Sequence, residues 1–442
     1  MIEVHRPGFV VVGAALAGLR GAEALRAEGY AGPLTIIGDE PYRPYDRPPL
    51  SKHVLAGELE PDATGLPNLV PLQACWRLGQ PAVALDRERR VVRLADGESL
   101  TFAKLLIATG ARARPWPGDG AHLRGVFTIR TLEDARGLRA ALVERPRRVL
   151  IIGAGLIGCE AASCCCDLNV PVTLVDPNPA PLARVLGSTI GASIAERMRR
   201  AGVDLRASTK VRALTGDVGQ VRRAELVGGD TIAADLVIVA LGAVRDTRWL
   251  AAAGLAADAG GLTCDAACRV LTASGEPDPD IYAAGDVARW PNPFSGGRPM
   301  TVEHWGNAVD QARHAAANML ATPADLRAYR HLPAFWSSQF GLNIKLVGTT
   351  EGADAVAVVQ GSRASHRFLA VYGTAGRSIA AVAFDQARWL PAYAEHIAVG
   401  AGFPPIVNAT DQARIEMLEP GLPAPRQPSA DRAASALEAA HA

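Results

Sequence analysis

The chain punctuates itself twice with the same strand, glycine turn and helix, and this repeat limits its possible folds more than any other feature. Phe9-Val-Val-Val-Gly13-Ala-Ala15-Leu-Ala17-Gly18 stands near the start, and Val149-Leu-Ile-Ile-Gly153-Ala-Gly155-Leu156-Ile157-Gly158 follows about 140 residues later. Each copy begins with a short apolar run of the kind buried in a parallel sheet, and then opens into a helix whose first amides and dipole favour a pyrophosphate. Each also leads to a second strand that ends in acid, Leu34-Thr-Ile-Ile-Gly-Asp39-Glu40 in one case and Val172-Thr-Leu-Val-Asp176 in the other. The acids arrive roughly 20 residues after the last glycine, where a carboxylate accepts hydrogen bonds from ribose hydroxyls. One such unit alone fits an ordinary packing arrangement; two with acids imply two dinucleotides and electron traffic between them. The first copy departs in one place, because Ala15 occupies the middle glycine position and its methyl limits the approach of a phosphate.

Composition narrows the function classes. The 442 residues suffice for two or three domains, and a hydrophobic fraction of 49% supports large cores. A net charge of +1 argues against nucleic acid as a partner. No apolar run approaches the length of a membrane span, and the opening Met1-Ile-Glu-Val-His-Arg6 lacks an apolar signal core, so the expectation is a cytoplasmic protein with no membrane partner. Cys159, Cys164, Cys165 and Cys166 share the helix after the second turn without forming a Cys-x-x-Cys pair. Cys264 and Cys268 have no second cysteine or histidine pair to complete a zinc site, and the nine histidines are scattered, so no metal is expected and all seven thiols read as reduced.

Between these landmarks the organisation is legible. A proline-stiffened loop, Pro41-Tyr-Arg-Pro-Tyr45-Asp46-Arg47-Pro-Pro-Leu-Ser51-Lys52, runs toward a helix, and residues 57–79 read as irregular. Lys104-Leu-Leu-Ile-Ala108-Thr109-Gly110 closes the first unit, and residues 112–120 read as a linker. The second unit ends in Leu236-Val-Ile-Val-Ala-Leu-Gly242, after which Asp280-Ile-Tyr-Ala-Ala284-Gly285-Asp286 forms a strand entering a Gly-Asp turn, with a helix to follow at 306–320. The expected fold is α/β: two Rossmann-like dinucleotide-binding domains, one of 1–112 with 244–325 and one of 113–243 inserted into it. A C-terminal α+β domain would occupy 326–420, and a mobile tail rich in Pro, Ala, Ser and Arg would occupy 421–442.

Taken in order, the Gly13-to-Gly18 turn, Tyr45-Asp-Arg-Pro-Pro-Leu-Ser-Lys52, Ala108-Thr-Gly110, Arg130-Thr-Leu-Glu-Asp-Ala135, Gly153-to-Glu160, Ala284-Gly-Asp286 and Phe335-Trp336-Ser337 resemble the FAD-dependent NADH:ferredoxin reductases. These are the flavoproteins of bacterial cytochrome P450 and ring-dioxygenase systems, of the putidaredoxin reductase and rubredoxin reductase type, and the resemblance spans residues 8–418. It implies a glutathione-reductase-like fold with FAD held in the first unit by Gly13, Ala15, Ala17, Gly18, Asp39, Glu40, Arg47, Lys52, Ala82, Ala108, Thr109, Gly110, Arg130, Asp286, Val302 and Trp336. It implies NAD in the second, on Gly153, Gly155, Leu156, Ile157, Gly158, Glu160, Asp176, Arg184 and Gly242. Arg47 and Arg130 suit a pyrophosphate, Asp286 a ribityl hydroxyl, and Trp336 a place beside the flavin. Lys52 and Glu160 are the implied catalytic pair, because an ammonium near the flavin stabilises its reduced form.

The resemblance further implies electrons passing from NADH through FAD to a [2Fe–2S] ferredoxin that serves a P450 or ring-hydroxylating oxygenase. Asp176 would favour NADH over NADPH by repelling a 2′-phosphate. Three alternatives share the scaffold: a rubredoxin reductase, an NADH oxidase or disulfide-type reductase, and a nucleotide-bound interaction protein of the apoptosis-inducing-factor type. The disulfide chemistry needs a cysteine near the flavin, and the loop 45–52 supplies none. The pattern is imperfect over 64–76, at Arg245-Asp246, where Pro-Asn is usual, and at Ser338, which replaces an acid.

Overall fold

The computed structural model describes residues 7–405 and 415–423. The buried strand Phe9–Val12 lies at the middle of a six-stranded sheet, with Leu34–Ile37 and Lys104–Ile107 parallel on its two sides. Helix α1 (Leu16–Ala27) follows Phe9–Val12 after the glycine turn, and Gly38 ends the strand Leu34–Ile37 before Asp39 is reached, two residues earlier than an unbroken run would allow. A 3-10 turn at Pro48–Ser51 and the one-turn helix α2 (His53–Ala56) then carry the proline loop. The stretch 57–79 is less irregular than its composition implies, since Cys75–Arg77 pairs in parallel with Leu34–Ile37 as the edge strand. A three-stranded antiparallel meander, Ala82–Asp86, Val91–Leu94 and Ser99–Thr101, intervenes before Lys104–Ile107.

At Arg112–Ala113 the chain crosses to a second sheet. There α3 (Leu132–Val143) starts at a capping box, with the Thr131 hydroxyl accepting from Asp134 N and the Asp134 carboxylate accepting from Thr131 N. The strand Val149–Ile152, α4 (Leu156–Asp167), Val172–Val175 and α5 (Ala183–Arg200) repeat the earlier arrangement within a five-stranded, all-parallel sheet. Its strands are covered on both faces, which explains why they read as unbroken apolar runs. The chain returns at Ala243–Val244, paired antiparallel with Arg112–Ala113, so departure and return are hydrogen-bonded to each other.

After α6 (Arg248–Ala251), Pro277–Ala283 rejoins the first sheet parallel to Lys104–Ile107. Helix α7 (Trp305–Leu320) lies against α1 through small residues: a Cβ at Gly21 would fall 2.5 Å from Leu106 Cδ2 and 3.7 Å from Ala312 Cβ. The C-terminal part is a six-stranded antiparallel sheet, in the order Ala334–Gln339, Leu342–Gly348, Arg377–Phe384, Arg367–Thr374, Ala355–Ser362 and Glu416–Leu418. One face carries α8 (Leu390–Ala398), and the other packs Phe368, Tyr372 and Phe384 against the helices of the second sheet. Gly421, at the start of the expected tail, accepts a hydrogen bond from Ser188 N at its carbonyl; residues 424–442 of that tail lie outside the described residues. No helix among the described residues is long and apolar enough to cross a membrane.

Candidate functional site

A long cleft runs along the carboxyl ends of the first sheet, where open α/β sheets place their ligands. It consists of two contiguous cavities that share Ala15, Tyr45, Arg47, Gly110 and Arg130. Asp39, Glu40, Ala82, Asp246 and Trp249 line one end, and Lys52, Leu156, Ile157, Glu160, His304 and Trp336 line the other. The first turn of α1 faces the middle: Ala15 caps the helix in an extended conformation with no side-chain acceptor, and no acid occupies the first turn. Its amides and positive end are therefore free for an anion. Gly13 and Gly18 serve the packing beneath, because a Cβ would stand 2.1 Å from Ala108 O in one case and 1.8 Å from Gly13 O in the other.

Charge is concentrated at the midpoint. Arg47 meets Glu40 at 2.5 Å and donates to Arg130 O at 2.7 Å, while Arg130 donates to the Asp286 carboxylate at 2.6 Å. The Tyr45 hydroxyl donates to Glu40 and accepts from Leu132 N, and burial pushes its phenol well up. Asp286 sits on a 3-10 turn whose Gly285 N donates to Gln311 of α7, and Gly285 has φ 79°, a left-handed conformation that suits glycine. Beside it, His304 has no hydrogen-bond partner at Nδ1, and burial pushes its imidazole down to about 4 against the opposing pull of Asp286.

At the far end, three parts of the chain converge on one carboxylate. Glu160, in the first turns of α4 and 3% exposed, faces Lys52 Nζ at 3.0 Å. Ser51 donates to its other oxygen at 2.7 Å, and Ser337, from the C-terminal sheet, donates at 2.6 Å to the oxygen that Lys52 also approaches. Trp336 stands 43% exposed at the mouth, edge-on to Trp305, whose indole donates to Asp46 at 2.9 Å.

The second glycine turn differs from the first in what a side chain would meet. Gly153 and Gly158 are closed in by backbone at 2.4 and 1.9 Å, whereas Gly155, the uncapped start of α4, has nothing within 4 Å of an added Cβ. That opening is a cradle of the kind a phosphate fills. Asp176 is turned inward: one oxygen accepts from Ala154 N at 2.6 Å, and the other accepts from both nitrogens of Asn178 at 2.7 Å. It braces the glycine turn while keeping a negative charge beneath it.

Of the residues expected at the flavin, Gly13, Ala15, Ala17, Asp39, Glu40, Arg47, Lys52, Ala82, Ala108, Thr109, Gly110, Arg130, Asp286 and Trp336 line the cleft, as do Leu156, Ile157 and Glu160 of the second turn. Gly18 and Val302 do not, and of the residues expected at NAD neither do Gly153, Gly155, Gly158, Asp176, Arg184 and Gly242. Val302 is in the core with its carbonyl accepting from Asn307, and Arg184 is exposed on α5. Tyr45, Ser51 and Ser337 belong to the sequence motifs but carry no expected site role, and His304 belongs to none; the available signal is polarity at buried strand positions, as at Ser337. No cysteine lines the cleft. Burial pushes the helix thiols up, Cys165 to about 12 and Cys166 to about 11, and only Cys75 is exposed. No group of three potential metal ligands occurs among the described residues.

Comparison with known proteins agrees with this geometry along nearly the whole chain. Residues 8–312 match the pyridine nucleotide-disulphide oxidoreductase model, and residues 334–415 match the reductase C-terminal model. The ferredoxin–NAD(+) reductase component of the anthranilate 1,2-dioxygenase system of Burkholderia cepacia is 38% identical over 403 residues, covering 89% of this chain and 94% of that protein. Putidaredoxin reductase of Pseudomonas putida is 35% identical, covering 84% and 87%. Among solved structures, the covalent putidaredoxin reductase–putidaredoxin complex superposes with a TM-score of 0.82 at 31% identity, covering 89% of this chain and 94% of that one. The ferredoxin reductase for the CYP199A2 system of Rhodopseudomonas palustris gives 0.81 at 32% identity, covering 90% and 98%.

Proposed function

Because the chain belongs to the pyridine nucleotide-disulphide oxidoreductase family, we propose that it is a flavoprotein reductase that passes electrons from NADH through FAD to a [2Fe–2S] ferredoxin serving a cytochrome P450 or ring-hydroxylating oxygenase. The observation that carries this reading is one continuous cleft that begins at Asp39 and ends where Lys52, Glu160, Ile157 and Trp336 meet. The cleft fits FAD: the uncapped amides of α1 and the arginines 47 and 130 suit a pyrophosphate at its middle, Asp39 and Glu40 suit a ribose, and the apolar walls at Trp336 and Phe335 suit a flavin. Held there by Arg47, Arg130 and the α1 amides, FAD would supply the exchange between a two-electron donor and a one-electron acceptor. The chain's own contribution is placement. Gly155 leaves room for the second pyrophosphate, Ile157 and Leu156 line the way to the cleft, and Lys52 sets a positive charge at its far end.

The relatives support this partner class, since one is the ferredoxin–NAD(+) reductase component of a dioxygenase system, one a putidaredoxin reductase and one the ferredoxin reductase for the CYP199A2 system. The lack of a cysteine in the cleft disfavours a disulfide-type reductase. Asp176 supports NADH as donor, because its charge would oppose a 2′-phosphate. A cytoplasmic location accompanies this reading, since NADH and reduced ferredoxins are cytoplasmic reagents. The test uses purified protein: yellow colour from acid-releasable FAD, bleaching by NADH, and cytochrome c reduction only when an acidic ferredoxin is added, slowing as salt rises. No flavin after reconstitution, or equal turnover on oxygen alone, overturns the reading.

A further inference from the structure

The strand Ala334–Gln339 is polar where it should be apolar. Phe335, Ser337 and Gln339 point inward at 7, 1 and 3% exposure, while Trp336 stands 43% exposed. A buried hydroxyl and a buried amide at alternate positions of one strand cost stability unless their hydrogen bonds are satisfied. Ser337 Oγ donates to Glu160 Oε1 at 2.6 Å, and Gln339 Nε2 donates to Ser337 Oγ at 3.0 Å. A hydroxyl has one proton to give. With the Gln339 amide occupying an acceptor site, the Ser337 proton is committed to Glu160.

The consequence concerns Lys52. Ser51 serves one oxygen of Glu160 and Ser337 serves the other, so two neutral donors share the carboxylate with Lys52. Lys52, which shares Oε1 with Ser337 and lines the cleft, is then not the sole partner of a buried anion and stays available to the cleft. We propose that Ser337 is a positioning residue of the electron-transfer site: its hydroxyl, aimed by Gln339, shares the charge of Glu160 with Lys52 and so keeps the Lys52 ammonium directed at the flavin. The C-terminal domain thereby adjusts how easily the flavin is reduced, although it supplies no dinucleotide-binding turn.

The inference rests on the proposed function, and the experiment separates the two. In the FAD-loaded full chain, the flavin midpoint potential is measured by spectroelectrochemistry, and its reduction by NADH is followed in single-turnover and steady-state assays, for the parent, Ser337→Ala, Ser337→Thr and Gln339→Leu. Without the Ser337 donor, Lys52 draws toward Glu160 and the flavin becomes harder to reduce, by about tenfold in equilibrium constant, or about 30 mV lower for a two-electron couple. Ser337→Ala should therefore show that shift and a comparable fall in kcat with little change in KM for NADH. Ser337→Thr should restore the potential, and Gln339→Leu should lower it in part. A parental potential in Ser337→Ala, or equal losses in the Ala and Thr variants, overturns the proposal. If Ser337→Ala does not fold, Thr and Leu carry the comparison, and an unchanged potential in Gln339→Leu overturns it. A parent that binds no FAD, or is not bleached by NADH, refutes the functional reading instead.

Discussion

The second glycine turn separates a glycine needed by the fold from a glycine needed by a ligand, and two alanine substitutions should tell them apart. At Gly158 the new Cβ would stand 1.9 Å from Gly153 O and 3.2 Å from Ala240 Cβ, backbone and core that cannot yield without lifting α4 off its strand. Overpacking of that kind costs about 3 kcal/mol or more. Gly155 meets nothing within 4 Å and has φ −77°, which alanine adopts without strain. Its poorer capping and its stiffer unfolded chain nearly offset each other, so Gly155→Ala should change stability by less than about 1 kcal/mol. The methyl does occupy the place where a pyrophosphate would approach. NADH should bind about tenfold more weakly, a loss of about 1.4 kcal/mol. Loss of binding altogether is not expected, because the first turn already carries a methyl at Ala15 in the same extended conformation. The assay pairs urea unfolding with the KM for NADH at saturating acceptor. Equal destabilisation by the two variants, or an unchanged KM in Gly155→Ala, refutes the reasoning.

Three further outcomes are expected. Lys52→Met leaves Glu160 buried with only hydroxyl donors and should cost about 2–3 kcal/mol in urea unfolding, more than Glu160→Gln, because Lys52 opens onto the cleft; the reverse order would count against a buried pair built around Glu160. A colorimetric thiol reagent at neutral pH should react quickly with Cys75 and with the other six cysteines only slowly or on unfolding, since burial pushes the thiols at 159, 164, 165, 166, 264 and 268 up; fast labelling of the α4 cysteines would contradict their packing. His304 has a folded-state value of about 4 against 6.5 when unfolded, so as pH falls through this window the unfolded chain takes the proton first and stability drops. His304→Gln should lose less stability over the same window, measured by unfolding at stepped pH; an identical acid limb would place His304 outside that loss.

What could be read in the sequence was local. The glycine turns and the strands before them are set within ten residues by backbone sterics and burial on both faces, and the Gly-Asp turn at 285–286 is equally compact. The short strand Cys75–Arg77 has no periodicity of its own and becomes a strand only through its pairing with Leu34–Ile37. The meander over 82–101 is similarly defined by cross-strand register. The cleft could be read wherever a motif marked it, as at Lys52 and Asp286, but the hydrogen bonds to Glu160 come from Ser51 and Ser337, 109 and 177 positions away. Asp176 shows the limit of spacing: the strand ended in acid as expected, yet the side chain bonds the turn amide, a choice made by the Asn178 bend.

The three-residue strand Glu416–Leu418 also protects the sheet it completes. It covers the outer edge of Ala355–Ser362, pairing Val356 with Leu418 and Val358 with Glu416, and Arg363 lies 3.7 Å from that glutamate. Beyond it the Glu419 carbonyl accepts from Thr189, and Gly421 docks on Ser188, which clips the cover to α5. Without it, a long apolar strand would present a row of unpaired amides and carbonyls, a template for edge-to-edge stacking. Solubility of this reductase should therefore depend on a strand that lines neither cavity, and a truncation that removes residue 416 onward should be recovered mainly as aggregate.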